Sequence, residues 1–243
     1  MQRRIFIFIF AVLLFSCAGC VQESVLSDVE ITDPSVIRPE ITFSRSKSGS
    51  STTQFIYAWI NDKNNNPLEL KNGGVLLNGK SMPVKTLLGL PYYSGLDVVS
   101  DIRPGYTYNI AIKLNSEKTY EASIKIQEKD LATLTLPLSH NRSENMEMSW
   151  TEIDPGRELK LEILNFYKKD NSELTEAFSM YIPQQNLASG NFTIPSAYFQ
   201  STQNITKTQI TLTSTITGTI YQGFEAGSKI ESALSISKTC QIY

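Results

Sequence analysis

The chain has 243 residues, 41% hydrophobic and 19% charged, which is enough apolar material for a packed core and excludes a disordered tail. Lysine plus arginine number 22 against 24 for aspartate plus glutamate, a formal net charge of −2, so the basic excess of a dedicated nucleic-acid binder is missing. The one histidine, His140, excludes multi-histidine metal sites and leaves a histidine-dependent triad a single residue to use.

In chain order, Met1-Gln2-Arg3-Arg4 is a short basic start and Ile5 to Phe15 (IFIFIFAVLLF) an unbroken apolar run. Eleven apolar residues in a helix span about 16 Å, roughly half a bilayer core, which fits a secretory signal better than a membrane span. Small residues with two cysteines follow, Ser16-Cys17-Ala18-Gly19-Cys20. This segment resembles the lipobox of bacterial lipoproteins, in which a signal peptidase cuts before a cysteine that then carries the lipid. Cys17 has Leu14 three positions before it and Ser16 directly before it; Cys20, the alternative, follows the small pair Ala18-Gly19. The expected signal peptide is 1–16, with a lipid-anchored tether over 17–38. The resemblance implies a diacylglycerol thioether and a further acyl chain such as palmitate, because single chains hold a protein only weakly. Neither cysteine is followed by aspartate, which by analogy with lipoprotein sorting implies the outer membrane, with the face left open. Loss of Arg3 and Arg4 with the signal leaves 20 basic and 24 acidic side chains, a net charge of −4.

Beyond the polar tether, strand signals recur without sustained helical periodicity. Phe55, Tyr57 and Trp59 alternate with Ile56, Ala58 and Ile60, reading as a sandwich strand; Asn61 to Pro67 is a turn cluster. Val75 to Leu77 leads into Asn78-Gly79, a hairpin signal. Arg103-Pro104-Gly105 turns into alternating Tyr106, Tyr108, Ile110 and Ile112, and Tyr120 to Ile126 alternates again. Leu131 to Leu138 bridges into a second set, with Met146, Met148 and Trp150, then Leu159, Leu161 and Ile163, the β-branched run Gln209 to Ile220, and Ile230 to Ile236.

The Asn61–Pro67 turn, Gly73-Gly74-Val75 and Arg103-Pro104-Gly105-Tyr106-Thr107-Tyr108 together resemble the prealbumin-like or Ig-like modules of bacterial envelope proteins. Tyr106 or Tyr108 would be the tyrosine corner of such a sandwich. The second half is similar to fibronectin type III modules, with Trp150 as core tryptophan. With the lipobox, the whole chain resembles uncharacterised two-domain envelope lipoproteins of Bacteroidota-type bacteria. The resemblance implies an all-β chain of two antiparallel sandwiches in tandem, Ig-like or prealbumin-like over 39–130 and fibronectin type III-like over 131–243. It implies no activity, and paired intradomain cysteines are missing.

Chemistry is sparse. His140 lies in a polar stretch that reads as an exposed interdomain loop, and no Gly-x-Ser-x-Gly elbow is present. Asp97 with Asp101, and Glu144 with Glu147, are the acid pairs a glycosidase could use, but sequence does not place either across a cleft. Asp62-x-Asn64-x-Asn66 superficially suggests a calcium loop, yet Pro67 and Gly73 stand where glycine and a bidentate glutamate belong. Cys240 reads as a free or buried thiol. Aromatic loops supply the binding candidates: Tyr92 and Tyr93, and Tyr221 with Phe224, rings able to stack on sugars or meet a partner protein. The expectation is a non-enzymatic, lipid-anchored envelope protein acting in binding, adhesion or uptake, with no catalytic residue, cofactor, metal or nucleic-acid partner. A carboxylate-based glycan hydrolase and a purely structural spacer are the alternatives.

Overall fold

Alternation of inward and outward side chains governs nearly every segment, and the chain folds accordingly as an almost entirely β protein. The computed structural model describes residues 30–129, 133–151, 158–169, 172–187, 190–201 and 204–243. The expected signal segment, Cys17, Cys20, the turn at 154–156 and the boundary at 130/131 lie outside these residues. The first half carries β1 (Ile37–Ser48), β2 (Ser51–Asp62), β3 (Gly74–Leu77), β4 (Lys80–Ser81), β5 (Val84–Leu87), β6 (Leu90–Ser94), β7 (Thr107–Lys113) and β8 (Thr119–Lys125). The second carries β9 (Leu134–Thr135), β10 (Ser139–His140), β11 (Met146–Trp150), β12 (Glu158–Lys169), β13 (Ser172–Tyr181), β14 (Asn191–Ile194), β15 (Ile205–Thr217), β16 (Thr219–Ile220) and β17 (Lys229–Ile242). The helix α1 (Gln184–Leu187) is a single turn.

Local chemistry explains the corners. Asn78 and Gly79 take φ of 49° and 79°, the paired left-handed geometry of a two-residue hairpin, between Leu77 and Lys80. The Asp62 carboxylate turns the next corner: one oxygen accepts the backbone N–H groups of Asn64 and Asn66, the other the Asn66 side-chain amide. Burial alone would raise its pKa, but these hydrogen bonds outweigh it and hold it below the usual carboxylate range. That carboxylate serves the turn.

The strands assemble into a wide sheet of order β13-β12-β15-β17-β1-β2-β6-β5, with β10 also on β17, and two smaller sheets, β16-β8-β7-β3-β4 and β14-β11-β9. Two cores result. In the first, Ile41, Phe43 and Ile56 of the wide sheet meet Val75, Tyr108 and Ile110 of the five-stranded sheet. In the second, Leu161, Ile163 and Leu212 meet Met146, Met148 and Trp150. The wide sheet is continuous across both, because β17 pairs parallel with β1 over Lys229–Ser237 and antiparallel with β15 over Glu231–Gln241. Here the structure departs from the expected division at residue 130. Ile216, Phe224 and Ile230, from the second segment, pack in the first core, since the β15 and β17 strands are long enough to pass from one core to the other. At the crossing a buried polar pair ties the halves: Gln127 Nε2 donates to the Ser214 carbonyl at 3.1 Å and Ser214 Oγ donates to Gln127 Oε1 at 2.9 Å.

Two further expectations meet a definite placement. Tyr108, and not Tyr106, bonds back to the preceding corner, donating to the Asp101 carbonyl at 2.9 Å and accepting from the Arg103 N–H at 3.0 Å. His140 is no exposed loop residue. It sits in β10 against β17, buried, with Nε2 3.0 Å from the Glu144 carbonyl and its ring edge-on to Phe199. Pairing with the last strand pulls this polar stretch into the second core.

Candidate binding face

Strand β2 separates its side chains by chemistry as well as by direction. Ile56, Ala58 and Ile60 point into the first core, while Phe55, Tyr57 and Trp59 stand on the outer face of the wide sheet. Phe55 is 55% exposed, and Tyr57 and Trp59 are half-buried. Alternate residues on one strand are about 7 Å apart, so three rings make a stripe about 14 Å long. Strand β6 lengthens it sideways. Its register with β2, Ala58 opposite Tyr93, places Tyr92 beside Trp59, and the two rings lie 5.5 Å apart at an interplanar angle of 37°. The flank is polar: Glu40 stands opposite Trp59 on β1 and is held by Arg38 at 2.8 Å and by the Asn61 side-chain amide at 3.2 Å. Further along the same face, Thr211 and Thr213 of β15 hydrogen-bond across to Ser237 and Ser235 of β17, a polar surface beside the aromatic one.

The four expected ligand-facing aromatics separate on inspection. Tyr92 joins the stripe. Tyr93 does not, because residues 90–94 form a strand and not a loop, and alternation turns its ring inward to 2% exposure. Its hydroxyl accepts the Leu70 N–H at 2.9 Å. Phe224 is buried in the first core. Tyr221 is 45% exposed, but it follows β16 on the other sheet and rests on Tyr120 and Phe224 at 4.7 and 5.6 Å. The structure therefore keeps Tyr92 and Tyr221 apart. Phe55, Tyr57 and Trp59 were legible only as a core strand. Parity separates the two sets, with every aromatic at an odd position and every aliphatic at an even one, but does not say which set faces out.

Burial of Tyr93 pushes its phenol up to about 12, against the bond from Leu70 that acts to lower it. A raised folded-state pKa stabilises the protein fully below the unfolded value near 10, and the contribution is lost as pH rises through about 12. Alkaline unfolding in that window is the expected result. In Tyr93→Phe this component disappears, at the cost of about 1–3 kcal/mol at neutral pH for the orphaned Leu70 N–H. Denaturant melts at pH 7 and at pH 11 read both; an unchanged alkaline slope in the variant would contradict the assignment.

The candidate acids are otherwise engaged. Asp97 is bound first by Lys85 and then by Ser94, and these hold its carboxyl below the usual range. Asp101 accepts from Gln54 Nε2 at 2.7 Å, and Glu147 from Thr193 Oγ1 at 2.7 Å. For Asp97, a general acid's role would need a shift in the opposite direction. Among the described residues no group of three metal-ligating side chains forms, and no helix is long and apolar enough to cross a membrane. Cys240 is buried in β17, which pushes its thiol pKa up. Two surface depressions lie off the stripe. One of about 560 Å³ runs over the outer face of the five-stranded sheet past Asn109, Ala111, Glu121 and Ser123; the other, about 260 Å³, is beside Val99, Arg103 and Tyr106.

No protein-family profile matches the chain, and no curated protein matches it. Among solved structures it is similar to the crystal structure of chicken CNTN1 FN1-FN3 domains, at 12% identity and a TM-score of 0.26, over 84% of this chain. The chain spans about 65% of the length of that structure.

Proposed function

We propose that the protein is a non-enzymatic, lipid-anchored envelope protein of the outer membrane that binds a glycan along the Phe55–Tyr57–Trp59–Tyr92 stripe. Its sandwiches would be Ig-like and fibronectin type III-like, with Tyr108 as the corner tyrosine and Trp150 as the buried core tryptophan supporting that reading. The observation that carries the function is the stripe itself. Four rings on the outer side of a sheet, Phe55 exposed and the other three half-buried, offer apolar surface for the C–H faces of sugars, and the Glu40 carboxylate beside Trp59 offers a hydrogen-bond acceptor for hydroxyls. Anchoring by acyl chains would hold this face at the cell envelope for adhesion or for delivery to an uptake system.

Binding is read from tryptophan fluorescence, since a sugar stacking on Trp59 changes its emission while Trp150, buried in the second core, gives a constant background. A saturable change with oligosaccharides of several sugar units supports the proposal; none across neutral, acidic and amino-sugar polymers sinks it. The anchor has a separate test. Cys17→Ala is expected to abolish labelling by radioactive palmitate and to leave an unprocessed precursor, whereas Cys20→Ala keeps the label. The reverse pattern moves the anchor to Cys20, and full labelling in the double variant refutes it.

A further inference from the structure

The hairpin joining β5 to β6 ends in Leu87-Leu88-Gly89-Leu90, with Leu87 paired to Leu90. Leu88 is 95% exposed and Leu87 57%, so the apex presents apolar side chains to the surroundings where a hairpin ordinarily presents polar ones. The backbone makes the choice of residue more pointed. Leu88 and Gly89 take φ of 52° and 81°, a two-residue turn whose first position suits asparagine or glycine and strains leucine. Strain kept at an exposed position points to a use for the side chain.

Registers locate the apex. Tyr93 lies opposite Ala58 and Arg38 opposite Asn61, so counting along β6 puts Leu90 at the level of Arg38, and the turn at the level of Val36 and Ile37. The leucines therefore project at the end of the wide sheet where the chain enters β1 from its N-terminal segment. The turn is about two and a half strand spacings, about 12 Å, from that entry point. A convex apolar tip at the end of the sheet where the chain arrives from its N-terminal segment suits insertion into the interface of a bilayer.

We infer that the 87–90 hairpin tip is a second membrane contact, entering the interface of a bilayer and seating the first core's sheets on it. The inference rests partly on the lipoprotein reading, which supplies the membrane at this end. The anchor alone does not enforce contact, because the thirteen residue steps from Cys17 to Glu30, where the described chain begins, can reach about 45 Å. The tip would convert a tethered body into a docked one with a fixed orientation.

The test uses the full chain with Leu88→Trp, reconstituted into vesicles of phosphatidylcholine and phosphatidylglycerol, and compares its tryptophan emission with the parent chain. The added emission is expected to be blue-shifted and quenched by brominated lipid. With the reporter moved to Leu87→Trp, adding Leu88→Asn is expected to cut that quenching severalfold while the unfolding temperature holds or rises, because asparagine suits the turn. If the indole introduced by Leu88→Trp stays in water while the chain floats with the vesicles, the proposal is overturned and the anchor reading is left intact; a chain that fails to float overturns it as well. Quenching that persists when palmitate labelling fails supports the tip and removes the anchor.

Discussion

Phe43→Ala is expected to destabilise the entire described fold by about 3–5 kcal/mol, in one transition. Phe43 is fully buried on β1, with its ring 5.0 Å from Tyr108 across the first core. Deleting it removes apolar contact and leaves a cavity that two facing sheets cannot close. The second core should feel the loss, because β1 pairs with β17 and β17 pairs with β15, so melting the first core frees one side of a strand the second core needs. Leu161→Ala, in the second core, is expected to cost about 2–5 kcal/mol and to lower the same transition. Calorimetry and tryptophan fluorescence check this directly: Trp150 reports the second core and Trp59 the first sandwich, so coincident melts are the expected result. Two separable transitions, only one of them moved by Phe43→Ala, would show that the halves fold independently despite the shared strand.

For function, Trp59→Ala is expected to weaken glycan binding by about thirtyfold or more, about 2 kcal/mol, without loss of fold. Trp59 is the central ring: it continues the line from Phe55 and Tyr57 and contacts Tyr92 at 5.5 Å, so its removal breaks the stripe in both directions. Its outward position means that the core strand residues Ala58 and Ile60 keep their packing. Phe55→Ala, at the open end, should cost less. Tyr221→Ala is the control, since that ring lies on the other sheet and should leave affinity unchanged. Isothermal titration with an oligosaccharide identified by fluorescence measures all three. Equal losses for Trp59→Ala and Tyr221→Ala would place the ligand somewhere other than the stripe.

The binding face shows how far alternation carries and where it stops. The run Phe55 to Ile60 is apolar on both parities, so periodicity identifies a strand without saying which side meets the core. Aromatic and aliphatic residues are both suitable for burial, and the choice was made by what faces β2: Val75 and Leu77 come to lie beneath the aliphatic side, while the aromatic side has Tyr92, Glu40 and Thr42 beside it on neighbouring strands. The Tyr92-Tyr93 pair failed as a loop for a related reason. Pro91 and Gly95 bracket it like a loop, yet β5 supplies a partner strand that pairs across Leu87-Leu88-Gly89-Leu90, and alternation then buries one ring and exposes the other. His140 moved from loop to core because the strand that captures it comes about a hundred residues later in the chain.

By itself, the sequence determined the β character of the chain, the strands β2, β3, β7, β8, β11, β12, β15 and β17, and the hairpin at Asn78-Gly79, because these depend on side chains within a few residues of one another. It also determined which chemistry could be present, since one histidine and scattered acids are matters of inventory. Only the tertiary structure decided that β17 lies between β1 and β15, that Ile216 and Ile230 belong to the first core, and that Trp59 meets Tyr92 in the open. Those outcomes rest on pairings between strands far apart in the chain, which no local pattern encodes: parity states that a strand has two faces, and the partner strands decide which face is covered.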